Sequence, residues 1–378
     1  MIENNHDFEV IIIGGGLAGL TAAIDLSQQH VKVLLIEKEP YPRHKVCGEY
    51  VSNEVLPYLR HLGFDPYDLG AKSIERFELS TIDGKVLRAR LPLGGFGISR
   101  YAFDEALANL ARQSGAHILH DTVVDIKFDN DLFEIETKTN GLYHSAIALG
   151  AYGKRSNLDV KLQRGFIESR SPYLAVKAHM QGAFPDDLVA LHNFKGGYCG
   201  VSKVENDHLN VCYITAYEEF KKHKNIEAFQ QDVVFKNTHL KKIFATSDPV
   251  FEEPLTISQI SFANKAPIEQ HLLMCGDAAG LIHPLCGNGM GMAIRSAYLA
   301  AELIRSFVSG KMNRATLEQS YAKAWNKEFG FRLKVGHSIA GLFSKNRWAN
   351  LLNSGLQYFP QVAPKIITLT HGKPMQLS

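Results

Sequence analysis

The sequence is poor in cysteine and tryptophan and has no long apolar run, and each shortage closes off a class of protein. Its five cysteines, Cys47, Cys199, Cys212, Cys275 and Cys286, are odd in number and form no C-x-x-C pair. A disulfide framework or zinc ribbon is therefore not expected, and a reducing, cytoplasmic location fits best. The 16 histidines fall without metal-ligand spacing, so no metal site is expected. No stretch reaches the roughly 18 apolar residues that a membrane span needs. Residues 1–8 are polar and short, whereas a secretory signal needs a basic start and a longer apolar stretch. A net charge of +2 leaves no surplus of positive charge for nucleic acid.

What is present is an ordinary globular composition, 45% hydrophobic and 21% charged, long enough for two or three domains. The charge is uneven. From Lys311 onward there are 10 Lys+Arg against 2 Asp+Glu, a net +8, while the rest of the chain carries a net −6. Among those positive charges lie Phe329, Phe331, Leu333, Val335, Ile339, Ala340, Leu342, Phe343, Trp348, Leu351 and Leu352. Apolar residues at helical spacing read first as a helical cap over an apolar tunnel. A basic amphipathic anchor, giving peripheral contact at the inner face of a membrane, is the other reading. Both suit a lipophilic small-molecule substrate.

The N-terminal stretch carries the plainest motif. Residues 10–13 are a β-branched run typical of a buried parallel strand. Gly14-Gly15-Gly16-Leu17-Ala18-Gly19 follows, then a helix over residues 17–29 and a second buried strand over residues 31–36 that ends at Glu37. A G-x-G-x-x-G alone is weak, but here strand, helix, second strand and terminal acid are all in place. Gly14 permits the tight turn, Gly16 lets backbone approach a pyrophosphate, and Gly19 lets the helix pack on the sheet. The helix N-terminus offers N–H donors and the positive end of its dipole. Glu37 is placed to accept from ribose hydroxyls, and its charge disfavours a 2′-phosphate. This loop by itself admits NAD or FAD, and a glycine-rich turn without chemistry is the bland alternative.

A second motif lies far down the chain. Residues 272–275 read as a strand running into Gly276-Asp277-Ala278-Ala279, and His283-Pro284 precedes Gly287-Asn288-Gly289-Met290-Gly291 at the head of a helix over residues 289–308. Asp277 can accept from a ribityl hydroxyl. Backbone N–H groups near Gly289 and Met290 can stabilise negative charge on the flavin N1–C2=O edge. With both motifs, and with Pro42-Arg43-His44-Lys45-Val46-Cys47-Gly48-Glu49 and Ser99-Arg100-x-x-Phe103-Asp104-x-x-Leu107, the chain resembles FAD-dependent oxidoreductases of the p-hydroxybenzoate hydroxylase-type fold. The similarity is greatest to the branch of geranylgeranyl reductases and flavin monooxygenases, and covers residues 8–308.

The resemblance implies an α/β fold: a Rossmann-like FAD-binding domain, built on βαβ with a parallel sheet, interleaved with a mostly antiparallel substrate domain and followed by a C-terminal helical region. The expected boundaries are 1–72, 99–160 and 262–310 for the FAD-binding domain, 73–98 and 161–261 for the substrate domain, and 311–378 for the helical cap. It implies FAD contacts at Gly14, Gly16, Leu17, Ala18, Gly19, Glu37, Lys38, Arg43, Cys47, Gly48, Arg100, Val124, Gly276, Asp277, Gly287, Gly289 and Met290, with Arg43 and Arg100 neutralising the pyrophosphate. Cys47 is placed near the reactive edge of the flavin, where Arg43, His44 and Lys45 would favour a thiolate; a small packing residue is its other reading. Tyr198 and Cys199, on a strand, are candidates to line the substrate pocket. His283 relays protons or makes a structural hydrogen bond.

Two departures stand out. The family's G-A-D-G-x-x-S segment reads Gly150-Ala151-Tyr152-Gly153-Lys154-Arg155-Ser156 here, with tyrosine in place of the acid. The reductases' substrate motif, Tyr-x-Trp-x-Phe-Pro, keeps only Tyr198, and the halogenases' Trp-x-Trp-x-Ile-Pro is absent. The expectation is a monooxygenase that hydroxylates a lipophilic or aromatic molecule through a flavin C4a-hydroperoxide, with NADH or NADPH as external reductant. The alternative is a reductase that saturates isoprenoid alkenes.

Overall fold

A computed structural model describes residues 7–168, 172–258, 260, 262–343 and 362–377. Two sheets organise it. The first centres on the strand Phe8–Ile13, whose neighbours Val33–Ile36 and Gly141–Gly150 both run parallel to it. His117–Leu119 and Leu272–Met274 extend the parallel stack outward on either side. Val10, Ile11, Ile12, Leu34 and Leu35 have no exposed surface. A strand covered on both faces has no reason to alternate polar and apolar, which is why these segments are continuously apolar.

The second sheet has nine strands and is mostly antiparallel. Tyr173–Gly182, His208–Ala216, Gly197–Lys203 and Leu188–Phe194 form its antiparallel run. Leu188–Phe194 then meets Lys72–Ser80 in parallel, and Val86–Gly97 follows. The short strand Tyr50–Ser52 pairs with Val86–Gly97 and so belongs to this sheet, although residue 50 was expected in the FAD-binding part. Three residues give too short a pattern for sequence to assign. The segment of residues 41–49 consequently bridges the two sheets.

Helices cover the first sheet. Leu17–Gln28 and Gly289–Val308 lie together, tied by an Arg305–Asp25 ion pair, with Tyr58 Oη donating to Asp25 Oδ2 at 2.6 Å. The tail starts as the helix Arg314–Phe343, whose Tyr321 hydroxyl donates to Met274 O at 2.6 Å and whose Trp325 and Phe329 are buried. Phe331, by contrast, is 61% exposed. The side chains of Ile339, Ala340, Leu342 and Phe343, and the whole of Trp348, Leu351 and Leu352, lie outside the described residues. The chain returns as the helix Val362–Thr370 against the second sheet. Ala363 packs with Leu79 and Leu87 there, and Ile367 with Tyr50, Ile74 and Leu91. Among the described residues, no helix is long and apolar enough to cross a membrane.

Candidate functional site

The site begins at the C-terminal end of Phe8–Ile13. Gly14 turns the chain at φ +105°, a left-handed conformation that costs glycine nothing. Its α-carbon lies against the next layer: a Cβ there would stand 2.5 Å from Ala151 O. Gly15 N donates to Glu37 Oε2 at 2.8 Å, and Tyr41 Oη donates to Gly15 O at 2.7 Å. The loop is thus fixed at its middle residue from both sides. Gly19 faces inward, where a Cβ would lie 2.0 Å from Gly14 O.

The segment following Glu37 is tied down residue by residue. Arg43 Nη2 donates to Glu37 Oε1 at 2.7 Å, and Lys45 Nζ pairs with Asp104 Oδ2 at 2.7 Å. Arg100 closes a bidentate pair with the same Asp104, at 2.7 Å through both Nε and Nη2. Burial pushes the Asp104 carboxyl up, but the Arg100 and Lys45 cations outweigh it and hold the group below the usual carboxylate range. Asn210 Nδ2 donates to Cys47 O at 3.2 Å. Glu49, wholly buried with φ +54°, receives the Arg100 backbone N–H at 2.7 Å, pairs with His179 Nε2 at 2.6 Å, and pairs with Lys177. Burial opposes its ionisation, and Lys177 and His179 more than compensate, so it stays an anion.

Around these segments opens a cavity of about 1390 Å³, above the roughly 300–1,000 Å³ of ordinary ligand pockets. Gly14, Gly16, Leu17, Ala18, Glu37, Lys38, Arg43, Cys47, Gly48, Arg100, Val124, Gly276, Asp277, Gly287, Gly289, Met290 and Tyr198 all face it. Two helix N-termini open into it as well. Leu17–Gln28 and Gly289–Val308 both start without a side-chain cap and without acid in the first turn. Among the described residues, and apart from chain neighbours and the helix's own backbone, no atom lies within 4 Å of where a Cβ on Gly289 or Gly48 would stand, and Arg100 Nη2 lies 3.8 Å from one on Gly16. Uncapped donors over bare backbone fit an anionic dinucleotide at the first helix and an electron-rich ring edge at the second.

Three expectations, on Cys199, Gly19 and the cations around Cys47, are corrected by this geometry, and for His283 it shows the structural hydrogen bond. Cys199 does not reach the cavity. It is fully buried on the far face of its strand, in a cluster with Val201, Val211 and Phe229, whereas Tyr198 faces the cavity side with Ala175 and Ile214. Adjacent residues of a strand point to opposite faces, so only one of the pair can line a pocket. Gly19 does not face the cavity but allows helix and turn to meet. The cations expected to favour a Cys47 thiolate are committed elsewhere: Arg43 to Glu37, Lys45 to Asp104. His44 is held neutral, pushed down to about 4 by burial and the Lys177 charge, in a stack with Tyr101 and Phe251 at 4.6 Å each. Cys47 Sγ itself lies 3.6 Å from Met290 Sδ. His283 is buried, with Nδ1 accepting from Leu285 N at 3.3 Å, and burial followed by the His337 charge pushes it down to about 4. It closes the loop before Gly287.

Sequence reasoning missed Tyr41, Glu49, Asp104, Lys177 and His179 as parts of the site. Glu49 directly follows the Lys-x-Cys-Gly segment, but its partners on Tyr173–Gly182 are 128 and 130 positions away, a distance no local pattern reports. The cap reading of the tail named Val335, which faces the cavity, but not Ile366, Ile367, Leu369 and His371, which face it too.

Known proteins share this fold. Residues 9–46 match the FAD binding domain family. The chain is 25% identical over 386 residues to conditioned medium factor receptor 1 of Dictyostelium discoideum, covering 89% of this chain and 71% of that protein. It is 23% identical to a tryptophan 2-halogenase of Chondromyces crocatus, covering 85% of this chain and 65% of the halogenase. It is 26% identical to a digeranylgeranylglycerophospholipid reductase of Methanosarcina mazei, covering 92% and 86%. The solved structure of the flavin-dependent brominase Bmp2 superposes with a TM-score of 0.78 over 96% of this chain and 93% of its own, at 18% identity.

Proposed function

We propose that this FAD-binding protein, a flavoprotein of the oxidoreductase fold described above, is a monooxygenase that hydroxylates a lipophilic or aromatic small molecule. One observation carries the reading. The cavity lined by the dinucleotide cradle is also lined by a set of apolar side chains. They include Phe77, Leu79, Leu87 and Leu91 of the second sheet and Ile366 and Ile367 of the tail helix that packs on that sheet. An apolar substrate loses water on entering such a cavity, and burial of its surface stabilises it by roughly 25 cal/mol per Å². The tail also shields the cavity, and water exclusion protects reactive intermediates from hydrolysis.

FAD supplies the redox chemistry and the activation of oxygen; the chain's own residues bind, orient and shield. The N–H groups of Leu17 and Ala18 and the Arg100 guanidinium would hold the pyrophosphate, and Glu37 would accept from the adenosine ribose. Asp277 would accept from the ribityl chain, and the uncapped N–H groups at Gly289 and Met290 would donate to the pyrimidine edge of the ring. Tyr198, lining the cavity with its ring 6.3 Å from that of His283, orients the substrate. NADH or NADPH is the proposed reductant.

A second reading, reduction of an isoprenoid alkene, is favoured by Cys47 facing the same cavity and by the 26% identity to a lipid reductase. The two separate on the product. Reduced protein is given a panel of prenyl lipids and phenolic compounds under ¹⁸O₂, and products are weighed. Gain of one labelled oxygen supports hydroxylation. Gain of two hydrogens under strict anaerobiosis sinks it.

A further inference from the structure

Tyr152 leads to a polar network that no sequence motif announces. Tyr152 Oη donates to Asp159 Oδ1 at 3.1 Å. Asp159, with no exposed surface, also receives Ser156 N at 2.7 Å and Arg164 Nη1 at 2.9 Å. Arg164 is itself 2% exposed at its side chain. Its other amino group donates to Ala278 O at 3.0 Å, and its Nε meets Glu269 Oε2 at 3.3 Å. A second cation works beside it. The half-buried Lys265 donates from Nζ to Lys154 O at 2.7 Å and to Asp277 O at 2.7 Å. Both cations sit over the ring of Phe166, at 5.1 Å for Arg164 and 4.4 Å for Lys265.

These contacts join two cavity-lining segments, residues 151–156 and residues 276–279. Each lies against the cradle from its own side. Ala151 N donates to Ile13 O at 2.8 Å, and Gly276 fits between Ala18 and Ala293. Apart from the antiparallel and parallel strands behind them, the two segments meet through side-chain cations on backbone carbonyls: Arg164 spans from Asp159 to Ala278, and Lys265 from Lys154 to Asp277. A buried cation with unfilled donors is costly, so each cation holds its carbonyls in place.

We propose that Arg164 and Lys265 are positioning residues of the FAD site, setting the distance between residues 151–156 and Asp277, and that Tyr152, through Asp159, anchors residues 151–156 to the same network. The proposal rests on FAD binding and is indifferent to which reaction follows.

The test uses the full chain with Lys265→Met, Lys265→Arg and Tyr152→Phe. FAD affinity is read by quenching of flavin fluorescence, the environment of the bound flavin by its visible spectrum and midpoint potential, and the fold by melting of the FAD-free protein. Lys265→Met is expected to weaken FAD by about tenfold or more, the worth of one or two charge-assisted hydrogen bonds. The spectrum and potential shift while the FAD-free protein melts as the wild type does, and Lys265→Arg restores affinity. Tyr152→Phe keeps the ring, loses one hydrogen bond, and weakens FAD by about fivefold; it decides the matter if Lys265→Met does not fold. Affinity unchanged within about twofold in both, or a loss of affinity matched by a loss of melting temperature, overturns the proposal. Wild-type protein that takes up FAD yet yields no hydroxylated product overturns the proposed function instead and leaves this one standing.

Discussion

Arg43 faces Glu37 across 2.7 Å, so the residue expected to neutralise the pyrophosphate is paired with the residue expected to hold the ribose. Burial pushes the Glu37 carboxyl up, and Lys45 and Arg43 more than offset this, holding it below the usual carboxylate range. The ion pair pre-orients the carboxylate before any ribose arrives, and Gly15 N holds its second oxygen at 2.8 Å.

Glu37→Gln keeps the shape and removes the charge, leaving Arg43 without its anion and weakening the acceptor. FAD affinity is expected to fall by about tenfold or more, equivalent to losing one hydrogen bond to a charged group. Fluorescence titration with FAD measures it. Affinity within about twofold of wild type would show that Glu37 holds the loop and not the ribose.

Gly19→Ala tests the turn itself. The added methyl would lie 2.0 Å from Gly14 O and 3.2 Å from Ile12 Cγ2, and neither backbone carbonyl nor β-branched core residue has a rotamer to yield. Overpacking of this kind costs about 1–3 kcal/mol. A lower melting temperature together with a colourless preparation is expected, and a stable yellow protein would contradict it.

Much of this site was legible because its motifs are local. Gly14 to Gly19 with Glu37, and Gly276-Asp277 with Gly287 and Gly289, each announce a βα turn within some 25 residues, and all but Gly15 and Gly19 face one cavity. The parallel strands were equally plain, since burial on both faces leaves unbroken β-branched runs such as Val10 to Ile13. The rest depends on partners that sequence does not pair. Glu49 needs Lys177 and His179, Asp104 needs Lys45, and Tyr152 needs Asp159 and Arg164. Cys199 misled because an aromatic-cysteine pair looked like one site, although a strand sends neighbours to opposite faces.

Cys47→Ala separates the two chemistries. The thiol touches Met290 Sδ at 3.6 Å and faces the cavity. Hydroxylation asks nothing of a thiol, and turnover is expected to stay within about tenfold of wild type. If the thiol supplies the proton in alkene reduction, turnover falls by about 10²–10⁴-fold, the usual worth of a general acid. Product mass and rate together report which.

Glu54 fastens the tail. It is fully buried, receives Gly372 N, and meets Arg332 Nη1 at 3.3 Å, while its backbone carbonyl accepts Met375 N at 2.9 Å. Asn288, at the head of the helix Gly289–Val308, donates to Thr370 O at 2.9 Å beside it. Among the described residues, Glu54→Ala leaves Arg332 with Glu328 as its anionic partner. Breaking one side of a buried pair costs about 3–5 kcal/mol, and the tail wall of the cavity loosens with it. Faster proteolysis near the C-terminus, with the core of residues 7–310 surviving, is the expected signature.

The last prediction concerns pH. His192 is buried with Nδ1 2.9 Å from Ser80 Oγ, and its ring stacks on His239 at 5.3 Å. Burial first, and the His239 charge second, push it down from 6.5 to about 3. In the unfolded chain the ring takes up a proton near its ordinary value, while the native ring refuses it. Unfolded protein therefore binds more protons throughout that window, and stability falls as pH drops below 6.5 toward about 3. His283, pushed down to about 4, adds to the same slope. His192→Phe fills the space without a titrating group, so its stability relative to wild type should rise as the medium is made more acidic, even if it is lower at neutral pH. Urea denaturation at about pH 7, 6 and 5 measures the difference between the two curves. Parallel curves would mean that the native His192 ring takes up its proton at the same pH as in the unfolded chain, against the burial that pushes it down.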